Sequence, residues 1–412
     1  MASFPLVLSD LLGHWWQYIV YLVIGFAFGF VLEIAGFGNS KKLAAQFYFK
    51  ELTVLKVMFS AIIVAMVLIF LTSGLGWLDY NLIWVNPTYL WPGIVGGLIM
   101  GVGFIIGGFC PGTSLVAAAT AKLDGVFFTL GALTGIFVFG ETVSYFDSFY
   151  NSEVQERFTL PGLFGTSTGV VVVAIVLMAL FVFFGAEQLE RLVGKRDLAR
   201  EPRWRYAAAG TMAMAAFGVL LIGQPTTEDR WNRVQDEKER AIEQRQVQIH
   251  PGELLKLMND DRLNLMMLDV RSESDFNVFH ILDAEHIESS SALEAMIPDL
   301  RAQPANTVIV VMSNDEEDAT EAWKTLVAES VLNVYILEGG INNWIATFAD
   351  DDFRAAHPRI EAEEEHLQYA FDSALGARYA TAQPSAALLE EMTFEEKVVL
   401  KTARGAGGGG CG

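Results

Sequence analysis

The 412-residue sequence predicts a polytopic α-helical membrane domain of about six spans with half-inserted helices, followed by a small α/β domain. Three observations predict it: six long apolar blocks confined to the first half, acidity confined to the second, and an alternation of strands and helices there. Residues 1–227 carry 12 Lys and Arg against 13 Asp and Glu, whereas residues 228–412 carry 16 against 36. Nearly all of the formal charge of −21 therefore belongs to the C-terminal part. A surface that acidic repels nucleic acid and anionic lipid, so neither is a partner of it.

The apolar blocks run over roughly 15–33, 53–72, 90–108, 125–146, 166–184 and 205–223, and a helix of about 20 such residues crosses a bilayer. The first block has no basic residue before it and no small-residue cleavage site after it, so it reads as a retained helix rather than a signal peptide. Basic residues set the orientation. With the N-terminus outside and one crossing per block, Lys41, Lys42, Lys50, Lys56, Lys122, Arg191, Lys195, Arg196, Arg200, Arg203 and Arg205 fall inside, and only Arg157 falls outside. Trp15, Trp16, Trp77, Trp84 and Trp91 then gather at the outer interface, where indole rings favour the headgroup level. Six crossings return the chain outside. The expected location is the bacterial inner membrane, with the N-terminus and the acidic domain extracytoplasmic.

One stretch interrupts the third block: Gly107-Gly108-Phe109-Cys110-Pro111-Gly112-Thr113-Ser114. Glycines and a proline break the helical ladder, and broken backbone at membrane depth survives only where protein packs it or it lines a cavity. Such breaks aim backbone N–H groups at anions. Thr113 and Ser114 would open the next short helix, and Cys110 sits at the break. The alternative is that Cys110 is a small buried hydrophobe and the glycines serve close packing.

Gly101-Val-Gly-Phe-Ile-Ile-Gly-Gly-Phe-Cys110-Pro-Gly-Thr, followed by Lys122-Leu-Asp-Gly and another apolar helix, resembles the YeeE/YedE family of thiosulfate transporters. Upstream, Leu32-Glu33-Ile-Ala-Gly36-Phe37-Gly38 resembles that family's earlier Gly-Phe-Cys element, which opens a half-inserted helix. The resemblance covers about residues 15–146 of a membrane domain spanning 1–225. It implies passage of thiosulfate or a related sulfur-containing anion, with Cys110 contacting the sulfur. Gly108, Pro111, Gly112, Thr113 and Ser114 would then surround its charged oxygens. Two departures matter. Gly38 stands where the family's earlier element has cysteine. Full-length members carry the unit twice and one copy is found here, so a second protomer or half-size partner would complete the pathway. Glu33 and Glu141, near block ends, read as interfacial or structural, with lining of the pathway as the alternative.

A polar helical linker over 226–246 leads into strands at Leu263–Val270, Thr307–Met312 and Val331–Leu337, with a helix at Asp318–Glu329 between the last two: a small parallel α/β domain. Leu268-Asp269-Val270-Arg271, Asp275-Phe276, His280-Ile281, Ala284-Glu-His286-Ile287, Val308-Ile-Val-Val-Met312 and Leu337-Glu-Gly339-Gly340-Ile-Asn-Asn-Trp344 follow the order of landmarks in rhodanese-like domains, which this region (247–350) resembles. Active members place Cys-x-x-Gly-x-Arg after that strand, a thiolate in a cradle of N–H groups and positive charge. Here Ser313-Asn314-Asp315-Glu316-Glu317-Asp318 stands instead, with Ser313 for the nucleophile, Glu316 for the turn glycine and Asp318 for the arginine. Serine is too weak a nucleophile for sulfane transfer, and the carboxylates would repel an anion. The domain therefore reads as an inactive binding module, and the chain as no enzyme.

An acidic extension over 351–404 follows, with helices expected at Glu361–Tyr369 and Ala386–Thr402, and then Arg404-Gly-Ala-Gly-Gly-Gly-Gly-Cys411-Gly412. A glycine-rich end is commonly passive. This one (405–412) resembles the end of the sulfur-carrier subunit of the periplasmic thiosulfate-oxidising Sox system, which implies that Cys411 carries sulfur on a swinging arm with a reach of about 25 Å. Cys110 and Cys411 are the only cysteines, so no disulfide framework exists. Neither a cofactor nor a metal is expected. The reading is a half-size sulfur-anion transporter whose extracytoplasmic module and arm handle sulfur, beside periplasmic sulfur-oxidation proteins. The rival is a non-transporting anchor or assembly subunit that docks a periplasmic sulfur-oxidising or respiratory complex.

Overall fold

The computed structural model describes residues 4–6, 8–83, 85, 87–155, 159–193, 204–360 and 365–400. Arg157, Lys195, Arg196, Arg200, Arg203, Trp84, Cys411 and the Gly407–Gly410 run lie outside the described residues. The chain divides into two compact units, one through Gln224 and one from Pro225.

Among the described residues of the first unit six helices are long and apolar enough to cross a membrane: Trp15–Ala35, Thr53–Gly74, Leu90–Ala119, Leu123–Tyr150, Thr168–Leu192 and Trp204–Ile222. Each covers one of the apolar blocks, because length and hydropathy alone dictate a span. The chain is a multi-pass membrane protein.

Two of these hairpins share one plan. Helix α1 (Leu8–Ala35, kinked at Gly13) stops at Gly36, whose φ of 86° only glycine adopts freely. A half-length helix α2 (Ser40–Ala45) follows, then α3 (Thr53–Gly74). Helix α4 (Leu90–Gly107) stops at Gly108, φ 72°, and is followed by α5 (Pro111–Ala119) and α6 (Leu123–Thr142). Gly36 and Gly108, Phe37 and Phe109, the left-handed Phe49 and Ala121, and Lys50 and Lys122 are each 72 residues apart. The region resembling a single transporter unit thus repeats one backbone plan at an offset of 72 residues. The signal was in the sequence, as Gly-Phe and a lysine recurring at one offset, with Gly25 and Gly29 answered by Gly97 and Gly101.

Two short helices, α7 (Asp147–Tyr150) and α8 (Leu160–Phe164), and a two-stranded ribbon of β1 (Thr88–Tyr89) against β2 (Val154–Gln155) lead on to α9 (Thr168–Leu192) and α10 (Trp204–Ile222). Helices α3, α9 and α10 share a core of Ile63, Val67, Val172, Val176, Ala179, Ala216 and Val219. Small residues let them approach: a Cβ on Gly169 would lie 2.7 Å from the Leu220 backbone. Glu190 is fully buried there, held by Lys56 at 2.5 Å and the Leu52 amide at 2.6 Å. A buried carboxylate persists only with such partners.

The second unit begins with helix α11 (Thr227–Glu243), capped by the Thr226 hydroxyl and Asp229 in reciprocal bonds. Its sheet has the order β3 (Gln248–Ile249), β7 (Val334–Leu337), β6 (Thr307–Met312), β4 (Asn264–Asp269), β5 (Glu285–His286), all parallel. Every residue of β6 is buried, as a central parallel strand covered on both faces requires. Val308, Val310 and Met312 enter one core with α12 (Pro251–Met258) and α16 (Gly340–Phe348). Ile309 and Val311 enter the other with α14 (Ser290–Ala302) and α15 (Glu317–Ala328). That is the period-two alternation of a strand. Helices α13 (Glu273–Val278) and α17 (Asp351–Ala356) complete the unit.

The acidic extension departs from expectation. Residues 365–369 are not helical, residues 386–391 form a 3-10 helix, and residues 392–400 carry no regular structure. Packing overrides helix propensity here: Leu367, Phe371, Tyr379, Leu389, Met392 and Val398 lie against the sheet's first core. The backbone bonds outward to that core instead of to itself. The Lys397 and Val398 amides meet Glu253 at 2.8 Å, and the Val399 amide meets the Tyr335 hydroxyl at 2.9 Å.

Candidate functional site

In the membrane unit the sequence-predicted residues gather where the two broken hairpins meet. Phe37 and Phe109, which follow the two left-handed glycines, are both buried in one cluster with Leu43, Val54 and Ala117. A Cβ on Gly108 would lie 3.2 Å from the Ser40 Cβ and 3.3 Å from its carbonyl, so the second break rests on the first turn of α2. Ser40 Oγ in turn donates to Asp124 at 2.9 Å. A Cβ on Gly125 would come within 2.4 Å of the Ala117 Cβ, so glycine there allows α5 to lie directly on α6.

Cys110 is the N-cap of α5, with Pro111 in the first turn, where its missing N–H costs nothing. The Cys110 amide donates to Thr113 Oγ1 at 2.9 Å, and that hydroxyl lies 3.1 Å from the Cys110 carbonyl and 3.3 Å from its sulfur. Ser114 Oγ donates to the Pro111 carbonyl at 2.7 Å. Thr113 and Ser114 are buried and serve as internal caps, whereas Pro111 is exposed and Cys110 and Gly112 are partly exposed. The amides of Gly112 and Thr113 precede the first intrahelical bond, that of Ser114 to the Cys110 carbonyl, and supply the positive end of α5. A partly exposed thiol beside such amides suits a ligand with a sulfur at one end and anionic oxygens at the other.

Two charged residues join this group that the motif alone did not bring together. Lys122 Nζ lies 3.0 Å from Glu33 Oε1, an ion pair between the first hairpin and the second. A Cβ on Gly38 would lie 2.5 Å from Glu33 Oε2 and 2.8 Å from Lys122 Nζ. The pair fills the space a side chain at position 38 would take. Glu33 is therefore a partner of Lys122 rather than a lone interfacial acid.

In the second unit Ser313 follows β6 directly, fully buried, and its carbonyl accepts from the Ile341 amide at 2.9 Å. The expected repulsion of anions by the following acids is not what this loop does. Glu316 turns away: Arg245 grips it through two bonds of 2.8 Å, and the Gly339 amide donates to it at 2.7 Å. That bonding raises the pKa of Arg245 above its ordinary value, against the opposing effect of burial. Asp315 takes bonds from Asn342 at 3.0 Å and from the Glu365 amide at 3.1 Å. With those two charges occupied, the loop's own N–H groups receive a carboxylate, that of Glu365. Ser313 Oγ donates to it at 3.2 Å, the Asp315 and Asp318 amides at 3.4 Å, and the Glu317 amide at closer range.

Behind the loop, Arg271 and Asp269 form a buried pair at 2.9 and 2.7 Å, with Arg271 also bonded to Asn314 at 3.2 Å and to the Phe279 carbonyl at 2.7 Å. Every arm of the guanidinium is matched, which offsets the cost of burying it. Gly340 closes the far side: at φ 59° its missing Cβ would strike the carbonyls of Asp315, Ser313 and Asn314 at 2.1–2.6 Å. Among the described residues no cluster of His, Cys, Asp and Glu has the arrangement of a metal site.

Comparison with known proteins agrees with both halves. Residues 35–231 match the family model described as sulphur transport, and residues 250–347 match the rhodanese-like domain. No curated protein and no solved structure matches the chain.

Proposed function

For a chain that fuses a sulphur-transport unit of the YeeE/YedE family to a rhodanese-like domain, we propose that the membrane unit conducts thiosulfate or a closely related sulfur anion past Cys110. The supporting observation is the placement of one partly exposed thiol at the head of a half-length helix where two broken hairpins meet. The thiol hydrogen-bonds to the sulfur end of the anion, and the Gly112 amide at the positive end of α5 attracts its oxygens. Neither step makes or breaks a covalent bond. The Lys122–Glu33 pair keeps a cation beside this route while holding its net charge near zero.

The functional division runs 1–225 for transport, 226–246 as linker, 247–350 as rhodanese-like module, 351–404 as extension and 405–412 as arm. The module works without sulfur transfer, since Ser313 takes the nucleophile's position. The arm's Cys411 accepts or delivers sulfur on the outer side. The membrane is the bacterial inner membrane, with the N-terminus and the second unit extracytoplasmic, as the distribution of lysine and arginine supports. A second copy of the unit completes the pathway. Gly25 and Gly29 on α1, Gly93, Gly97 and Gly101 on α4, and Gly131 and Gly135 on α6 face no neighbouring atom within 4 Å. Such stripes suit close helix pairing within lipid.

Uptake of radiolabelled thiosulfate by purified protein in liposomes tests the reading. Cys110→Ala abolishes uptake without lowering membrane insertion, and Cys110→Ser retains part of it if hydrogen bonding alone is needed. Wild-type uptake by Cys110→Ala returns this cysteine to a packing role.

A further inference from the structure

The Glu365 carboxylate has the contacts of a bound anion. It arrives from 47 to 52 residues beyond the loop and accepts from one hydroxyl and three backbone amides of it. The Glu317 and Asp318 amides open α15, a helix of 12 residues, so its positive end adds to the attraction. The segment that carries Glu365 is pinned at that residue and just beyond it: Asn314 Nδ2 donates to the Glu365 carbonyl at 3.0 Å, Asn342 Nδ2 donates to the His366 carbonyl at 2.9 Å, and the Gln368 amide donates to Asn342 Oδ1 at 2.8 Å. Glu365 itself sits at φ 59°, a left-handed conformation that a glutamate adopts only when its surroundings compensate.

We propose that the loop Ser313–Asp318 is an oxyanion receptor whose resident ligand is the carboxylate of Glu365, so that the rhodanese-like module is closed by its own chain. The ligand class follows from the donors. Four N–H and O–H groups converge on two oxygens, which suits a carboxylate or the oxygen end of a sulfur oxyanion. No positive side chain of the loop takes part, because Asp318 stands where one would be. Affinity for a free anion is therefore modest. An internal carboxylate on a segment held by Asn314 and Asn342 acts at an effective concentration above the millimolar range of a flexible linker, and free anions below that concentration leave it seated. This inference concerns the second unit alone and stands whether or not the membrane unit conducts thiosulfate.

The test is hydrogen exchange read by mass spectrometry on the full chain in detergent, comparing wild type with Glu365→Ala. The probe is sodium acetate, the fragment the substitution deletes, against sodium chloride at equal ionic strength. Losing hydrogen bonds to a charged acceptor speeds exchange of the 315–318 amides by about ten- to a hundredfold. Acetate slows it again in a saturable manner, chloride does not, and the wild type responds to neither. The β6 peptide, residues 307–312, keeps its wild-type exchange. Glu365→Gly guards against misfolding of the alanine variant, since glycine takes the left-handed position without strain. The proposal fails if the 315–318 amides exchange at the wild-type rate in both variants, or if acetate and chloride affect them equally.

Discussion

Replacing Gly108 by alanine tests whether the second break holds the thiol in place. Gly108 sits at φ 72°, and forcing a residue with a Cβ into that region costs roughly 1–2 kcal/mol. The added methyl would lie 3.2 Å from the Ser40 Cβ, 3.3 Å from its carbonyl and 3.6 Å from its Cα. One of those contacts is carbonyl and another is Cα, so a side-chain rotation cannot relieve the crowding and the α2 turn must move a few tenths of an ångström. Together the two effects come to about 2–5 kcal/mol of local destabilisation, and Cys110, two residues on, moves with the break. The control is Gly185→Ala in α9, where a Cβ meets nothing within 4 Å and a helix interior gains up to about 1 kcal/mol from the exchange. Thermal unfolding in detergent and thiosulfate uptake in liposomes are measured on both. Gly108→Ala unfolds at a lower temperature and loses most uptake, whereas Gly185→Ala unfolds at or above the wild-type temperature and transports normally. If Gly108→Ala matches the wild type in both measurements, the break is not what positions Cys110.

Protease added to intact spheroplasts removes the second unit, and its full protection contradicts the outward orientation. Cys411→Ser and deletion of Gly407–Gly410 impair sulfur handover equally, because the deletion keeps the thiol but removes about 13 Å of reach; a handover assay in which Cys411→Ser equals the wild type ends the carrier idea. Burial raises the pKa of the Tyr335 phenol, in part against the Val399 bond and with help from the charge of Glu253. A folded pKa above the unfolded one means that the contribution is whole below the ordinary phenol range and is lost as pH rises through the raised value. The protection factor of the Val399 amide, taken against the intrinsic base-catalysed rate, therefore holds until the pH passes that range, and Tyr335→Phe lowers it at every pH; an unchanged protection factor in Tyr335→Phe contradicts this.

Much of the architecture is legible because each feature rests on local pattern. Length and hydropathy define six spans, two glycines and a proline define the break at Cys110, and an unbroken run of branched residues from Thr307 defines the central strand. The expectations that miss depend on contacts distant in sequence. Ala386–Thr402 has helical composition, yet Leu389, Met392 and Val398 are worth more against the sheet core, and the chain unwinds to reach it. Glu33 and Lys122 are 89 residues apart and carry no common motif. The acids of the 313–318 loop suggest repulsion only while Arg245 and Asn342 remain unseen, since those two occupy Glu316 and Asp315 and leave the backbone donors to decide the local potential.

The 72-residue repeat of the backbone plan sets two breaks beside each other with different residues at each. At an offset of 72 residues, Cys110 answers to Gly38, Thr113 and Ser114 to Lys41 and Lys42, and Glu33 to Ile105. Glycine at 38 leaves the volume that the Glu33–Lys122 pair now fills, and the glutamate exists in only one copy. The lysine at 122 has its counterpart in Lys50 and Glu33 has Ile105, so the cation recurs at this offset and the carboxylate does not. The pair ties hairpin to hairpin beside Gly38, while Cys110 keeps partial exposure at the other break. Within one chain the site is therefore asymmetric, with a thiol at one break and an ion pair at the other. A second copy of the unit would supply a second thiol without disturbing that pair.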